Sequence, residues 1–261
     1  MLRSRIATAA VALPVVLAII LLAAPSAFVA FIALLTGWGL YEVGAMTQAR
    51  GVAEIAALAI IGGGAAVAMM IAPRAMWPLP LVVGMIMLAM VAMVAMSGAA
   101  AGLGPRALLI AGALYVGALY PFFAILRNSV GGARLVIFVL LLVVASDSGA
   151  YFAGRALGRH KLIERVSPNK TVEGAVGGLI LTVIAGMILR GPLASGWSTG
   201  ATALVSGAIS ILAQAGDLAG SAFKRLAGVK DSGWIFPGHG GLIDRTCSLV
   251  FAMAITYYLG T

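Results

Sequence analysis

Long apolar runs separated by short polar loops dominate the hydrophobic pattern of the chain. A helix needs about 20 mostly apolar residues to cross the hydrocarbon core of a bilayer. The strands of a membrane barrel would instead alternate polar and apolar residues in segments of about ten. The pattern therefore predicts an all-α, polytopic membrane helix bundle with about nine transmembrane helices. The predicted spans are 6–23, 27–47, 52–71, 77–96, 107–126, 135–154, 172–189, 199–216 and 243–260.

The composition agrees with a lipid environment. Of the 261 residues, 62% are hydrophobic and 10% are charged, whereas soluble domains carry about 25% charged residues. The net charge of +9 would also suit a nucleic-acid-binding protein. The basic residues lie in short loops between apolar runs, however, so we expect no nucleic acid partner. The single cysteine, Cys247, excludes an intrachain disulfide.

The distribution of Lys and Arg predicts the orientation of the chain. With the N-terminus in the cytoplasm, 13 of the 17 basic residues fall in cytoplasmic loops and 4 in the opposite loops. We therefore expect a multi-pass protein of the cell (inner) membrane with its active site facing the cytoplasm. Residues 1–5 and 24–27 also resemble parts of a cleavable signal peptide, but further spans follow at once, which favours an uncleaved first helix.

The acidic residues concentrate in the C-terminal half, where six of the eight lie at or after Asp147. We therefore predict one integral membrane domain with scaffold spans over 1–134 and a catalytic region over 135–261. Two polar islands on the cytoplasmic side, 147–173 and 216–245, contain the residues suited to chemistry.

The first island begins with Asp147 inside an apolar run, where a carboxylate costs about 2.5–3.5 kcal/mol. We expect this side chain to face a polar cavity or to pair with a basic neighbour. Ser167 and Pro168 are typical of a helix start. Lys170 would then lie in the first helical turn, near free backbone N–H groups that favour anions.

The second island is predicted to begin with a short helix over 217–227 that Gly228 closes. On this helix Asp217, Ser221 and Lys224 follow i, i+4, i+7 spacing and share one face. A carboxylate, a hydroxyl and a cation would thus point in the same direction.

A polar turn with Lys230 and Asp231 and a glycine-rich loop with His239, Gly240 and Gly241 follow this helix. Such glycines allow backbone N–H groups to approach a ligand closely. Two carboxylates, several cations and a glycine loop at one membrane face suit a triphosphate with a divalent metal, because Mg²⁺ binds carboxylate and phosphate oxygens together. The chain contains no Walker pattern, which excludes a P-loop site.

The segment 221–245 resembles the signature of the phosphatidate cytidylyltransferases, the CDP-diacylglycerol synthases. Its matching positions read Ser221-x-Phe223-Lys224-Arg225-x₄-Lys230-Asp231-x-Gly233-x₂-Phe236-Pro237-x-His239-Gly240-Gly241-x₂-Asp244-Arg245. Segments 147–151, 167–174 and 216–218 are also similar to segments of that family. The resemblance covers about 135–261 and rests only on the span pattern before that.

The resemblance implies a reaction of CTP with phosphatidate that yields CDP-diacylglycerol and pyrophosphate, with Mg²⁺ alone or together with a second cation. The implied catalytic residues are Asp217, Lys224, Arg225, Asp244 and Arg245, with Asp217 and Asp244 as the metal ligands. The implied substrate-binding residues are Asp147, Ser167, Lys170, Thr171, Ser221, Lys230, Asp231, His239, Gly240 and Gly241. The implied partners are CTP, phosphatidate and the lipid bilayer.

Two positions depart from the family pattern. Cys247 stands where the family continues Asp-Arg-x-Asp, and Gly220 stands where it usually has Glu. The alternatives are therefore a weak or inactive paralogue that binds CTP or lipid, a CTP-dependent lipid kinase, and a transporter. Small residues at 62–64 permit close helix packing, within the chain or in a homodimer.

Overall fold

The computed structural model describes residues 14–47, 51, 62–64, 66–67, 104–235 and 240–260. In this part of the chain, six helical segments are long and apolar enough to cross a membrane. They coincide with six of the nine predicted spans. The predicted spans 52–71 and 77–96, and the start of 6–23, lie wholly or largely outside the described residues. The prediction of an all-α polytopic membrane protein is confirmed.

Seven helices with complete bounds and one small hairpin make up most of the described architecture, and residues 14–22, 62–64 and 66–67 are also helical. The helices are α1 (Pro25–Met46), α2 (Pro105–Leu119), α3 (Pro121–Arg127), α4 (Gly132–Leu157), α5 (Val172–Leu193), α6 (Thr199–Leu226) and α7 (Leu242–Gly260). The strands β1 (Lys161–Ile163) and β2 (Ser167–Thr171) lie between α4 and α5 and pair antiparallel, with Lys161 opposite Thr171 and Ile163 opposite Ser167.

Prolines define where three of the helices begin. Pro25, Pro105 and Pro121 each occupy a first helical position, where the missing N–H would have no partner within the helix. Pro121 also separates α2 from α3, because it cannot donate the hydrogen bond that would continue the helix. Together α2 and α3 form one span of 23 residues.

The start of α5 corrects one sequence prediction. Ser167 does not cap a helix but lies in β2, and Lys170 follows in the same strand. The cap is Thr171, whose Oγ1 accepts a hydrogen bond from the amide of Gly174 at 3.1 Å. The prediction was wrong because pairing with β1 keeps the backbone extended up to Thr171.

Helix α6 corrects a second prediction, because 217–227 is not a separate short helix. It is the end of one 28-residue helix that begins at Thr199. Helical hydrogen bonding does not have to stop where the apolar run stops. The predicted closure is confirmed: Gly228 has φ +73°, and the amides of Gly228 and Val229 donate to the carbonyls of Arg225 and Lys224, which is a Schellman motif.

The core lies where α4 packs on α5 and α6 packs on α7, and the side chains of Phe122, Phe138 and Phe251 are fully buried. Helix α5 leaves an apolar face exposed, with Val176, Ile180, Ile184 and Ile188 spaced four residues apart. Such a face suits contact with lipid.

One of the small residues singled out in the sequence packs within the chain. A Cβ atom on Gly62 would lie 2.9 Å from Cδ1 of Leu40 on α1. The homodimer stays a prediction.

Candidate active site at one end of the helix bundle

The two polar islands meet at one end of the bundle. Lys170 of β2 forms an ion pair with Asp217 of α6, and the side chains are 29% and 38% exposed. The pair joins residues that lie in different islands of the sequence. It places the hairpin beside the C-terminal half of α6, as the resemblance to the cytidylyltransferases implied.

A second and more buried ion pair joins α6 to α7. Lys224 Nζ contacts Oδ1 of Asp244, and the carboxylate of Asp244 is only 4% exposed. Its other oxygen, Oδ2, accepts hydrogen bonds from the amides of Ser232 at 2.8 Å and Gly241 at 2.9 Å. The loop between α6 and α7 thus fixes the orientation of this carboxylate.

Glu42 of α1 also reaches this end of the bundle, although sequence reasoning assigned its helix to the scaffold. The side chain is 2% exposed. Its oxygens accept hydrogen bonds from Trp38 Nε1 at 3.1 Å, the amides of Leu242 at 2.8 Å and Ile243 at 3.1 Å, and Ser232 Oγ at 2.8 Å. An acidic residue inside an apolar run was the signal that singled out Asp147, and the same signal marks Glu42.

The described glycines of the loop before α7 make room for these two carboxylates. Gly240 has φ +80°, and a Cβ atom there would lie 2.5 Å from Oδ2 of Asp244. A Cβ atom on Gly241 would lie 2.5 Å from both carboxylate oxygens of Glu42. The sequence predicted that these glycines bring their amides to a ligand, but the amide of Gly241 donates to Asp244. His239 lies outside the described residues.

A cavity of about 300 Å³ opens beside the Lys170–Asp217 pair. The residues predicted from the first island line it: Asp147, Ser167, Lys170 and Thr171, together with Gln214 of α6.

Gln214, which sequence reasoning missed, donates to the carbonyl of Ala175 at 3.2 Å and to Ser210 Oγ at 3.1 Å. The structure therefore places α4, the hairpin, the start of α5 and one residue of α6 around a single cavity that contains several polar side chains.

Of the two expectations for Asp147, the structure favours the cavity, which Asp147 lines together with Lys170 and Ser167. None of the ion pairs within 4.0 Å in the described part of the chain involves Asp147. The carboxylate of Asp217 repels its charge through space, whereas Lys170 and Arg245 attract it. An intramembrane carboxylate that lines a cavity is typical of a functional site.

The remaining predicted residues surround these pairs. Ser221 is half-buried on α6 between Asp217 and Lys224. The side chains of Arg225, Lys230, Asp231 and Arg245 are exposed on the same helix, in the following loop and at the start of α7. Arg225, Lys230 and Arg245 supply positive charge near the loop, and Asp231 adds one negative charge.

The two departures from the family pattern contact each other. A Cβ atom on Gly220 would lie 2.8 Å from Cβ of Cys247, so α6 and α7 approach closely at this level. The thiol of Cys247 is buried and lies 3.5 Å from Oδ1 of Asp217 and 4.0 Å from the carbonyl oxygen of Asp244. The positions at which two acids are missing are therefore adjacent to an expected metal ligand.

The expected metal ligands, Asp217 and Asp244, offer the hard oxygen donors that Mg²⁺ prefers. Within the described residues no cluster of three or more His, Cys, Asp or Glu side chains could hold a metal ion. Mg²⁺ often takes one or two carboxylates together with substrate phosphates and water. Asp217 and Asp244 each contact a lysine, and their carboxylate oxygens are of the donor type that such an ion takes.

Comparison with known proteins decides the family. A sequence model described as "Cytidylyltransferase family" matches residues 3–261. The chain belongs to the cytidylyltransferase family. The match includes the scaffold spans, on which sequence reasoning found no motif of this family.

Curated relatives of this cytidylyltransferase-family chain carry related names. It is 38% identical to the phosphatidate cytidylyltransferase of Bacillus subtilis (strain 168) over 148 residues, which are 56% of this chain and 55% of that protein. It is 45% identical to the phosphatidate cytidylyltransferase of Brucella suis biovar 1 over 131 residues, 49% of this chain and 47% of that protein. It is also 45% identical to the uncharacterized protein YnbB of Escherichia coli (strain K12), over 50% of this chain and 44% of that protein. The chain spans about half the length of the curated relatives it matches.

Proposed function

We propose that this chain transfers the cytidylyl group of CTP to phosphatidate, with release of pyrophosphate and formation of CDP-diacylglycerol. The observation that carries the proposal is the pair of lysine–carboxylate contacts, Lys170–Asp217 and Lys224–Asp244, at one end of a membrane helix bundle. Membership of the cytidylyltransferase family supports the nucleotide. The names of the relatives in Bacillus subtilis and Brucella suis support the lipid.

The proposed chemistry needs positioning and charge stabilisation rather than a covalent intermediate with the protein. A phosphate oxygen of phosphatidate attacks the α-phosphorus of CTP, and the bond from that phosphorus to the bridging oxygen of the β-phosphate breaks. The electron pair leaves with pyrophosphate. No strong general base is required, because the attacking group is already an anion.

The two carboxylates are proposed to hold Mg²⁺, which would neutralise charge on the triphosphate and the leaving group. When CTP binds, Lys170 and Lys224 exchange their carboxylate partners for phosphate oxygens, with which they form charge-assisted hydrogen bonds. The exposed Arg225, Lys230 and Arg245 add positive charge around the phosphates. The cavity beside Asp147 and Lys170 would receive a substrate headgroup.

We propose the inner membrane as the location, with the site on the cytoplasmic side. The distribution of 13 basic residues against 4 supports this orientation. The C-terminal ends of α1 and α6 contact the start of α7, and the hairpin contacts α6, so these parts lie on the same side of the membrane.

The proposal is tested with the purified full chain in detergent or lipid nanodiscs. The protein is supplied with CTP, phosphatidate and Mg²⁺, and CDP-lipid and pyrophosphate are measured. Label in the α-phosphate of CTP should appear in the lipid product, whereas label in the γ-phosphate should appear in pyrophosphate. Transfer of the γ-label to lipid would identify a lipid kinase, and CTP binding without product would identify an inactive paralogue.

Two variants make this assay specific. Asp217→Asn should abolish turnover, because it removes a proposed metal ligand. Glu164→Gln is the control, since it also neutralises an acid. Glu164 is exposed in the turn between β1 and β2 and is not one of the proposed site residues. Full activity of Asp217→Asn would contradict the metal assignment.

A further inference from the structure

Glu42 is a buried carboxylate that the proposed reaction does not use directly. It lies near the C-terminal end of α1, and 2% of the residue is exposed. No ion pair among the described residues involves it. A carboxylate at such a position is expensive unless hydrogen bonds stabilise it, so its contacts should explain why it is there.

Those contacts place Glu42 at the beginning of α7. The amides of Leu242 and Ile243 donate to its two oxygens at 2.8 Å and 3.1 Å. The first amides of a helix have no partner within the helix, and the positive end of the helix dipole stabilises an anion there. Glu42 therefore fixes the position of the first turn of α7, the turn that contains Asp244.

A second connection between Glu42 and Asp244 runs through Ser232. The hydroxyl of Ser232 donates to Oε2 of Glu42 at 2.8 Å, while its amide donates to Oδ2 of Asp244 at 2.8 Å. The same hydroxyl also lies 3.1 Å from Oδ2 of Asp244. Ser232 is 4% exposed, so water does not compete freely for these bonds.

The loop glycines show that this arrangement is closely packed. A Cβ atom on Gly233 would lie 2.7 Å from Oε1 of Glu42, and one on Gly241 would lie 2.5 Å from the same oxygen. The amide of Gly241 in turn donates to Asp244. The loop can therefore follow this path only because Glu42 and the glycines fit together.

We propose that Glu42 is a positioning residue: it holds Asp244 in the orientation that binds the metal, through Ser232 and through the first amides of α7. This inference rests on the proposed function of Asp244. Partners that orient a metal ligand typically change metal affinity or activity by about 10- to 100-fold when they are removed. The N-terminal half of the chain thus contributes a residue to the function of the site.

The test measures metal dependence and not only activity. Glu42→Gln keeps the side-chain volume but replaces one carboxylate oxygen by an NH₂ group, which donates and cannot accept. The backbone amide of Leu242 or of Ile243 therefore loses its acceptor, together with any other donor to the same oxygen. We expect the Mg²⁺ concentration for half-maximal activity to rise roughly tenfold or more, while the KM for phosphatidate stays unchanged. Direct binding of Mn²⁺ to the purified protein, measured with CTP present and phosphatidate absent, should weaken by a similar factor.

Thr36→Val is the matched structural control. Thr36 is also buried on α1, but its hydroxyl donates to the carbonyl of Ile32 in its own helix. This variant should lower thermal stability without changing Mn²⁺ affinity. If Thr36→Val and Glu42→Gln weaken Mn²⁺ binding equally, Glu42 has only a structural role and the proposal is overturned.

Ser232→Ala tests the connection itself. The decisive comparison is the double variant that combines Glu42→Gln with Ser232→Ala. If Glu42 acts through Ser232, this variant should bind Mn²⁺ about as weakly as whichever single variant has the lower Mn²⁺ affinity, because the two changes remove one shared interaction. If Glu42→Gln does not fold, Ser232→Ala and Trp38→Phe decide, since each removes one donor to Glu42. Wild-type Mn²⁺ affinity in both would overturn the proposal.

The outcomes separate this inference from the proposed function. Absence of CDP-lipid with the wild-type protein would contradict the function. A wild-type protein that makes CDP-lipid, combined with unchanged metal dependence of Glu42→Gln, would contradict the inference alone.

Discussion

Gly220 on α6 packs directly against Cys247 on α7, because a Cβ atom at position 220 would lie only 2.8 Å from Cβ of Cys247. The sequence marked these positions as two separate departures from the family pattern. The structure shows that they form one contact, next to the carboxylate of Asp217. A larger residue at 220 therefore requires α6 and α7 to move apart.

We expect Gly220→Ala to destabilise the protein. The added methyl group overlaps with Cys247, and overpacking of this kind costs about 1–3 kcal/mol. Gly207→Ala is the control on the same helix, because its Cβ atom would meet only Leu179 Cδ1 at 3.8 Å. Thermal unfolding in detergent compares the two variants, and an equal effect on both would contradict the close contact at Gly220.

Cys247→Asp should make stability depend on Mg²⁺. The new carboxylate lies beside Asp217 in a buried position, so without metal the variant should lose up to about 3 kcal/mol. Added Mg²⁺ should restore much of this loss, because a divalent cation neutralises both carboxylates. Cys247→Ser introduces no charge and should respond to Mg²⁺ as the wild type does. The unfolding temperature of each variant is measured with and without Mg²⁺. If Mg²⁺ does not raise the unfolding temperature of Cys247→Asp more than that of the wild type, position 247 lies away from the metal.

The two lysine–carboxylate pairs should contribute unequally to stability. Lys224→Met leaves Asp244, which is 4% exposed, without its cation, and an uncompensated buried charge costs about 3–5 kcal/mol. Lys170→Met leaves Asp217, which is 38% exposed, and should cost about 1 kcal/mol or less. Denaturant unfolding without CTP or metal measures both variants. If Lys170→Met lowers the free energy of unfolding more than Lys224→Met does, the Lys224–Asp244 pair is not the more buried one.

Thr171→Ala should weaken the start of α5 by about 1 kcal/mol, because it removes the hydroxyl that accepts from the amide of Gly174. Thr171→Ser keeps the cap and should be closer to the wild type. Ser167→Ala should have a smaller effect, since Ser167 lies in β2. If unfolding experiments rank Ser167→Ala as the more damaging change, the cap is at Ser167 after all.

The predictions that were confirmed depended on local patterns in the sequence. The apolar runs determine which segments can cross a membrane, and six of them are helical spans among the described residues. The dense motif over 221–245 pointed to the family that the sequence model identifies. Gly228 as the end of α6 was also predictable, because a left-handed residue after a helix depends on its nearest neighbours.

Predictions about helix limits within the polar islands were less successful. The sequence contains two plausible caps, Ser167 and Thr171, and only the pairing of β2 with β1 decides between them. Likewise, the end of the apolar run near Gly216 looked like the end of a span. The backbone hydrogen bonds of α6 continue past it, because a helix can extend beyond the lipid.

The sequence by itself determined the class of fold, the family and the side chains available for chemistry, since these depend on composition and on spacing along the chain. Only the tertiary structure decided which carboxylate meets which lysine, and that Glu42 joins Asp244 through Ser232. Glu42 and Leu242 are 200 residues apart in sequence. Their contact depends on how α1 and α7 pack and rotate against each other, and no local pattern specifies that.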